Sequence, residues 1–333
     1  MPYLIENRRY IGNKTKLTQW IKQLILLHTS SNDTFFDVFA GTGSVANALS
    51  SHFQCVLVND LLHANHVIYQ AFWGVGEVDK TKIQHIAQTI QTWQPDDLPN
   101  NYFSDNFGGK FFSEAVAKQI GFAREYLDSL NLTPKEHSIL LASLIYSADK
   151  IANTVGHFDA YIKKDIAPKP LPFDLVNWSI QEKFQIFQKD ANQLVRQQSA
   201  DVVYLDPPYN SRQYSRFYHV YETLVKWNKP MLSGVAMKPP AENMSDYCRS
   251  TAPTVFADLV ANIQAKYIVV SYNNTYFSKS NSSRNKIELQ QIVDTLNSRG
   301  QTQIFTQEHR AFNTGKTEFS NHQELLFITK VTD

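Results

Sequence analysis

The run Val202-Val203-Tyr204-Leu205 is apolar and β-branched at its start, and it stops abruptly at Asp206-Pro207-Pro208-Tyr209-Asn210. Such a run reads as a buried strand. Two successive prolines lack the N–H that a sheet requires and enter a helix poorly, so the strand must end there. A carboxylate, a rigid turn and an aromatic ring are thereby held just beyond a strand's carboxyl end. In open α/β sheets that edge is where ligands bind. The chain is therefore expected to be an α/β protein with a ligand-holding turn at 206–209.

A second strand-and-turn unit lies near the amino terminus. Leu17, Trp20, Ile21, Leu24, Ile25 and Leu27 mark an amphipathic helix, mostly on one face. The segment 35–39 follows as a strand, Ala40-Gly41-Thr42-Gly43 as a tight turn, and 44–49 as a second helix. Gly41 and Gly43 allow backbone to approach a ligand closely. The next strand, 54–59, ends at Asp60. That acid follows the glycine turn at close to the ~20-residue offset of a ribose-binding carboxylate in βαβ nucleotide sites. Asp60 therefore suits a ribose; the alternative use of such a residue is to cap the following helix. Ala46 stands where a dinucleotide fingerprint has its third glycine. A nucleoside without a pyrophosphate fits better, and S-adenosylmethionine is such a ligand.

The stretch between Asp60 and Asp206 is far longer than successive strands of an α/β core need. Its periodicities are helical over 61–72, 82–93, 114–130 and 135–153, so the expected division is a core of 1–60 and 181–333 with a mainly helical insert at 61–180. Lys163, Lys164 and Lys169 lie among aromatic and polar residues there, a mixture that suits phosphates and base edges but equally a plain helical cap. Asp190 either caps the short helix after it or faces a cofactor's adenine ring. After the organising turn, Arg212, Tyr214 and Arg216 are placed to meet phosphates flanking a target base. Lys279 and Arg284 sit in a Ser/Asn-rich loop at 278–285. Three closing strands are expected at 267–271, 302–306 and 324–329; the absence of a long helix between the last two favours an antiparallel hairpin.

Lys and Arg number 32 against 31 Asp and Glu, so any nucleic-acid contact must use a local basic face. The 21 Phe, 16 Tyr and 5 Trp are available for core filling and for base stacking. Cys55 and Cys248 are too few for a disulfide framework. No signal peptide precedes Glu6-Asn7-Arg8-Arg9 and no apolar run reaches spanning length, so a soluble cytoplasmic protein with no membrane partner is expected.

The turn has the chemistry to handle an aromatic amine such as adenine's. Asp206 and the Pro207 carbonyl can each accept one of its two N–H groups, drawing the nitrogen lone pair out of conjugation. Proline's locked φ preorganises that carbonyl. Tyr209 can stack on the base.

Taken in order, these residues resemble the Dam-like adenine-specific DNA methyltransferases, in particular restriction–modification members whose turn runs Asp-Pro-Pro-Tyr-Asn-Ser-Arg-Gln-Tyr. The resemblance covers most of the chain. It implies that Tyr10 and Lys14 belong to the amino-terminal cofactor motif, and that Asp37, Phe39, Gly41 and Gly43 form the glycine motif. Asp60 matches the ribose acid, Asp190 the acid near the cofactor's adenine, and Asp206, Pro207, Pro208 and Tyr209 the catalytic motif. It further implies a Rossmann-like, S-adenosylmethionine-dependent methyltransferase fold with a mixed seven-stranded sheet and an inserted target-recognition domain. Base flipping in double-stranded DNA is implied as well, and a cognate restriction endonuclease is admitted as a second partner.

Rival chemistries lack their residues. Neither cysteine follows a proline, as a cytosine-ring nucleophile would, and the His/Cys cluster of a zinc deaminase is missing. An RNA adenine methyltransferase and a non-catalytic nucleic-acid-binding subunit remain the alternatives.

Overall fold

The computed structural model describes residues 1–30, 33–167, 169–275, 284–308 and 323–332. Contacts divide the chain into a sheet unit, Gly12–Leu61, Lys183–Tyr214 and Asn243–Asp333, and a helical unit, Met1–Ile11, Leu62–Glu182 and Ser215–Glu242.

The sheet unit holds strands β1 (Thr34–Asp37), β2 (Cys55–Asn59), β3 (Phe184–Phe187), β4 (Ser199–Leu205), β5 (Gln264–Asn273), β6 (Gly300–Glu308) and β7 (Gln323–Val331). They form one seven-stranded sheet in the order β3-β2-β1-β4-β5-β7-β6. β3, β2, β1, β4 and β5 pair in parallel, whereas β7 runs antiparallel to both β5 and β6. The mixed sheet and its closing hairpin are thus as the sequence suggested. Val202, Val203, Tyr204 and Leu205 are all buried, because an interior parallel strand is covered on both faces and needs no polar alternation. Phe36, Val203, Leu205, Ile268 and Val270 pack with Phe256 and Leu259 of the helix Ala252–Asn262 and Ile292 and Leu296 of Leu289–Asn297. In the first helix, Thr18–His28, Ile21 and Ile25 are buried but Leu27 is 75% exposed. Two residues beyond Ile25, Leu27 has turned about 200° around the axis, so it leaves the face on which the sequence reading had placed it.

In the helical unit the helices His63–Phe72, Lys80–Thr92, Glu114–Ser129 and Pro134–Ile151 match the four periodic stretches of the insert, with Tyr102–Phe107 added. Pro134–Ile151 is buried on nearly every side. Its start is fixed by a capping box, in which Thr133 accepts from the Glu136 N–H and Glu136 accepts from the Thr133 N–H, with proline at the first helical position. The unit also takes in two stretches expected in the core. Residues 1–11 join it because Tyr3 exchanges backbone hydrogen bonds with Leu175 and Asn177 and the Tyr146 hydroxyl donates to the Ile5 carbonyl at 2.7 Å. Residues 215–242 join it through Phe158 N–H to Phe217 O at 2.8 Å and Arg124 Nε to Leu224 O at 2.7 Å. Among the described residues no helix is long and apolar enough to cross a membrane.

Candidate active site

β1 lies between β2 and β4, so the strand order reverses at that point and the turns after β1 and β4 leave neighbouring strand ends. This is the switch-point crevice of an open α/β sheet. After β1 the chain turns through Gly41 at φ +55° and Gly43 at φ +76°, a left-handed region costly for other residues. Gly43 then caps the helix Ser44–Leu49. Asp60 Oδ2 accepts the Gly41 N–H at 3.0 Å, so the ribose candidate also braces the glycine turn. Asn59, 1% exposed, donates to the carbonyls of Val38 and Lys189, both at 3.1 Å, and accepts the Lys189 N–H at 2.9 Å. Its amide clamps the ends of β1, β2 and β3 together.

After β4 the turn 206–209 is held by the Lys286 N–H, which donates to the Tyr209 carbonyl at 2.7 Å. The Tyr209 hydroxyl donates to Asp206 Oδ1 and accepts from Lys14 Nζ. Lys14, 4% exposed, stands 3.3 Å from Asp206 Oδ1 and 3.3 Å from Glu324 Oε2. Asp37, 1% exposed, lies near enough to Asp206 for the two carboxylates to repel. One ammonium thus serves two acids, Asp206 and Glu324, while a third, Asp37, crowds Asp206. Burial pushes the Asp206 carboxyl up to about 6, with Lys14 and the Tyr209 hydroxyl opposing and Glu324 adding to the rise. Burial and then Asp206 hold Asp37 well above the usual carboxylate range. Burial also works against the Lys14 ammonium, yet Asp206 and Glu324 outweigh it and keep the pKa above the ordinary lysine value. The Tyr209 ring meets Tyr272 edge-on at 4.9 Å. Sequence reasoning gave Tyr209 a stacking role only; its hydroxyl links Asp206 to Lys14 as well.

The remaining expected residues fall in several places. Phe39 packs edge-on against Tyr247 at 5.1 Å. Asp190 caps the short helix Ala191–Leu194, accepting the Gln193 N–H at 3.0 Å, which is one of the two uses its position allowed. The Arg212 N–H donates to Asn210 Oδ1 at 3.1 Å, and Tyr214 opens the short helix Tyr214–Phe217. Arg284 is exposed. Lys279 lies outside the described residues. Tyr10 belongs to the helical unit, stacked on Tyr218 at 4.6 Å with the Arg8 guanidinium 5.0 Å from its ring. In that unit Arg216 donates to the Pro239 carbonyl, and Lys163 and Lys164 are exposed. Glu324 was missed. An acid opening an otherwise apolar strand is its only sequence signal, and many such residues are merely strand ends.

Residues 10–295 match the family of D12 class N6 adenine-specific DNA methyltransferases. The chain belongs to that family. The D12 enzyme is 30% identical to Type II methyltransferase M.NlaIII of Neisseria lactamica, over 94% of this chain and 95% of that protein. It is equally 30% identical to Type II methyltransferase M.CviAII of Paramecium bursaria Chlorella virus 1, over 97% and 98%. Modification methylase LlaI of Lactococcus lactis subsp. lactis is 30% identical over 97% of this chain but only 55% of its own length. As a D12 enzyme the protein methylates adenine in DNA, with S-adenosylmethionine as methyl donor. The residues present fit that donor. Among the described residues, Asp37 Oδ1 is a buried acceptor with no hydrogen-bond partner, suited to an ammonium such as the donor's amino-acid group. Asp60 and the glycine turn offer carboxylate and backbone for a nucleoside.

Proposed function

We propose that this D12 enzyme is the modification methyltransferase of a Type II restriction–modification pair. In this reading it methylates N6 of one adenine within a specific site of duplex DNA, in the cytoplasm, beside an endonuclease of the same specificity. The crowding at the sheet's switch point, where Asp206 and Glu324 share Lys14 and Asp37 presses on Asp206, carries the reading, because under-compensated charge marks a site built for an incoming ligand.

S-adenosylmethionine, when bound, supplies a methyl group already activated on a sulfonium. Asp37, Gly41, Gly43 and Asp60 would hold it, with Tyr10, Lys14, Phe39 and Asp190 assigned to the same pocket by the family resemblance. The flipped adenine offers two N–H donors. Asp206 accepts one and the Pro207 carbonyl the other, so the N6 lone pair localises and points away from both acceptors. The ring of Tyr209 covers the base. Once N6 is methylated it carries a positive charge, and the raised basicity of Asp206 suits it to take the departing proton.

Arg212, Tyr214 and Arg284 in the sheet unit, and Arg216, Lys163 and Lys164 in the helical unit, are the candidate DNA contacts, with Lys279 added from the sequence. The helical unit serves as target reader. Sequencing of modified bases in DNA from cells expressing the chain tests the whole reading. The expected result is N6-methyladenine at one short motif; methyl groups in RNA alone, or none, would overturn it.

A further inference from the structure

We propose that Glu324 is a positioning residue for Asp206, acting through Lys14 and the Tyr209 hydroxyl. This rests on the reading that Asp206 receives the adenine amine.

The contacts form a directed relay. An ammonium has three N–H donors and no acceptor. Lys14 faces three oxygens: Glu324 Oε2 and Asp206 Oδ1, each at 3.3 Å, and the Tyr209 hydroxyl. Because the Tyr209 oxygen accepts from Lys14, its own proton must point elsewhere, and it points to Asp206 Oδ1. Both the charge and the hydroxyl are therefore concentrated on Oδ1. With both contacts on Oδ1, Oδ2 is the oxygen assigned to the substrate amine.

Glu324 sets the balance of the relay. It lies near the start of β7, opposite Asn273 of β5 and Gln307 of β6, and is 6% exposed. Strand geometry rather than a flexible loop thus fixes its carboxylate. If Lys14 faced Asp206 alone, the full ammonium charge would fall on the reacting acid. That carboxylate would hold its charge to lower pH and accept an amine N–H less strongly. With Glu324 drawing the ammonium from the other side, Lys14 is shared, and Asp206 stays basic while remaining ionised near neutrality. The groups acting on Asp206 are Lys14 before the first helix, Tyr209 in the turn itself and Glu324 on β7. Asp37 at the end of β1 and Tyr204 on β4 also couple to it, and Asp60 acts on Asp37. Of these, Glu324 is the acid on the far side of Lys14.

The test is steady-state methyl transfer to a target duplex by Glu324→Gln, Glu324→Asp and Asp206→Asn, with Glu324→Gln also made in a Tyr209→Phe background. Glu324→Gln is expected to lower kcat roughly tenfold, less than the 10²–10³-fold typical of deleting a group that touches the reacting atoms. KM for S-adenosylmethionine should stay within about twofold, since the change acts on the transition state. The acid limb of the pH profile should move to lower pH, because a negative neighbour of Asp206 is gone. Glu324→Asp keeps the charge and should keep the limb in place. In the Tyr209→Phe background the Glu324→Gln penalty should shrink, since the hydroxyl it works through is missing. Unchanged kcat and limb in Glu324→Gln would overturn the proposal. So would equal losses in Gln and Asp variants, or a full penalty in the Tyr209→Phe background. If Glu324→Gln does not fold, the likewise uncharged Glu324→Met in the two backgrounds carries the same cycle on kcat, with Glu324→Asp as the charge-retaining control. An active Asp206→Asn would instead refute the role of Asp206 itself.

Discussion

Each unit holds a cluster of charged side chains taken out of water, and the two clusters are satisfied in opposite ways. In the helical unit Glu136, 1% exposed, accepts from the Asp79 N–H, the Thr133 N–H and Lys82 Nζ at 2.7–2.9 Å. Burial opposes its ionisation, but Lys82 and those backbone donors outweigh it and hold its pKa below the ordinary value. Lys135 beside it donates to three carbonyls, Gln70, Ala71 and Ser179, the first two at the end of the helix His63–Phe72. These ions are satisfied, and they staple helices. In the sheet unit Asp206 and Glu324 share one lysine while Asp37 crowds Asp206, and among the described residues Asp37 Oδ1 has no hydrogen-bond partner. Glu136 and Lys135 are given their partners by the fold, whereas the acids at the switch point outnumber theirs, as a site awaiting a ligand would.

The largest effect should come from Asp206. Asp206→Asn is expected to lower turnover by at least ~10²-fold, since its amide oxygen accepts the amine N–H more weakly than a carboxylate and cannot take the departing proton. Its folded pKa is raised, so the ionised side chain costs stability above about pH 6 and that cost fades as pH falls below it. The neutral isostere should therefore melt at pH 8 no lower than wild type. A dead variant that also unfolds early would break the contrast between the units.

Glu136→Gln should do the reverse. Its pKa is depressed, so its stabilisation is present above the unfolded carboxylate value and lost as pH falls through the folded one. The variant is expected to lose about 2 kcal/mol at neutral pH in denaturant titration, with kcat within about twofold of wild type. A large kcat loss without destabilisation would show that this charge, too, serves the chemistry.

Smaller still, Asp60→Ala should weaken cofactor binding roughly tenfold, the loss of one or two charge-assisted hydrogen bonds. Isothermal calorimetry reads this directly, and an unchanged dissociation constant would leave Asp60 only as the brace of Gly41.

What the sequence disclosed was local. The Pro207-Pro208 stop, the Gly41 and Gly43 turn and the apolar periodicities are each written within a dozen residues, and they located the strands, the four long helices and the turn after β4. What it withheld was pairing across the chain. Lys14 and Glu324 are separated by 310 residues, and only the sheet order brings β7 beside β5 and so close to the β4 turn. The membership of 1–11 and 215–242 in the helical unit was hidden for the same reason, since it depends on contacts such as Phe158 with Phe217 rather than on any periodicity. The Tyr209 hydroxyl shows a third limit: a residue type announces its ring more plainly than the direction of its O–H.

The pH dependence of kcat/KM, taken with cofactor and DNA both limiting, tests the central claim most directly because it reports ionisations of the free enzyme. The half-buried, acid-crowded Asp206 is expected to give an acid limb with its midpoint at about 6. A limb at the ordinary aspartate value of ~4 would contradict the account, because Asp206 would then be an unperturbed surface-like carboxylate.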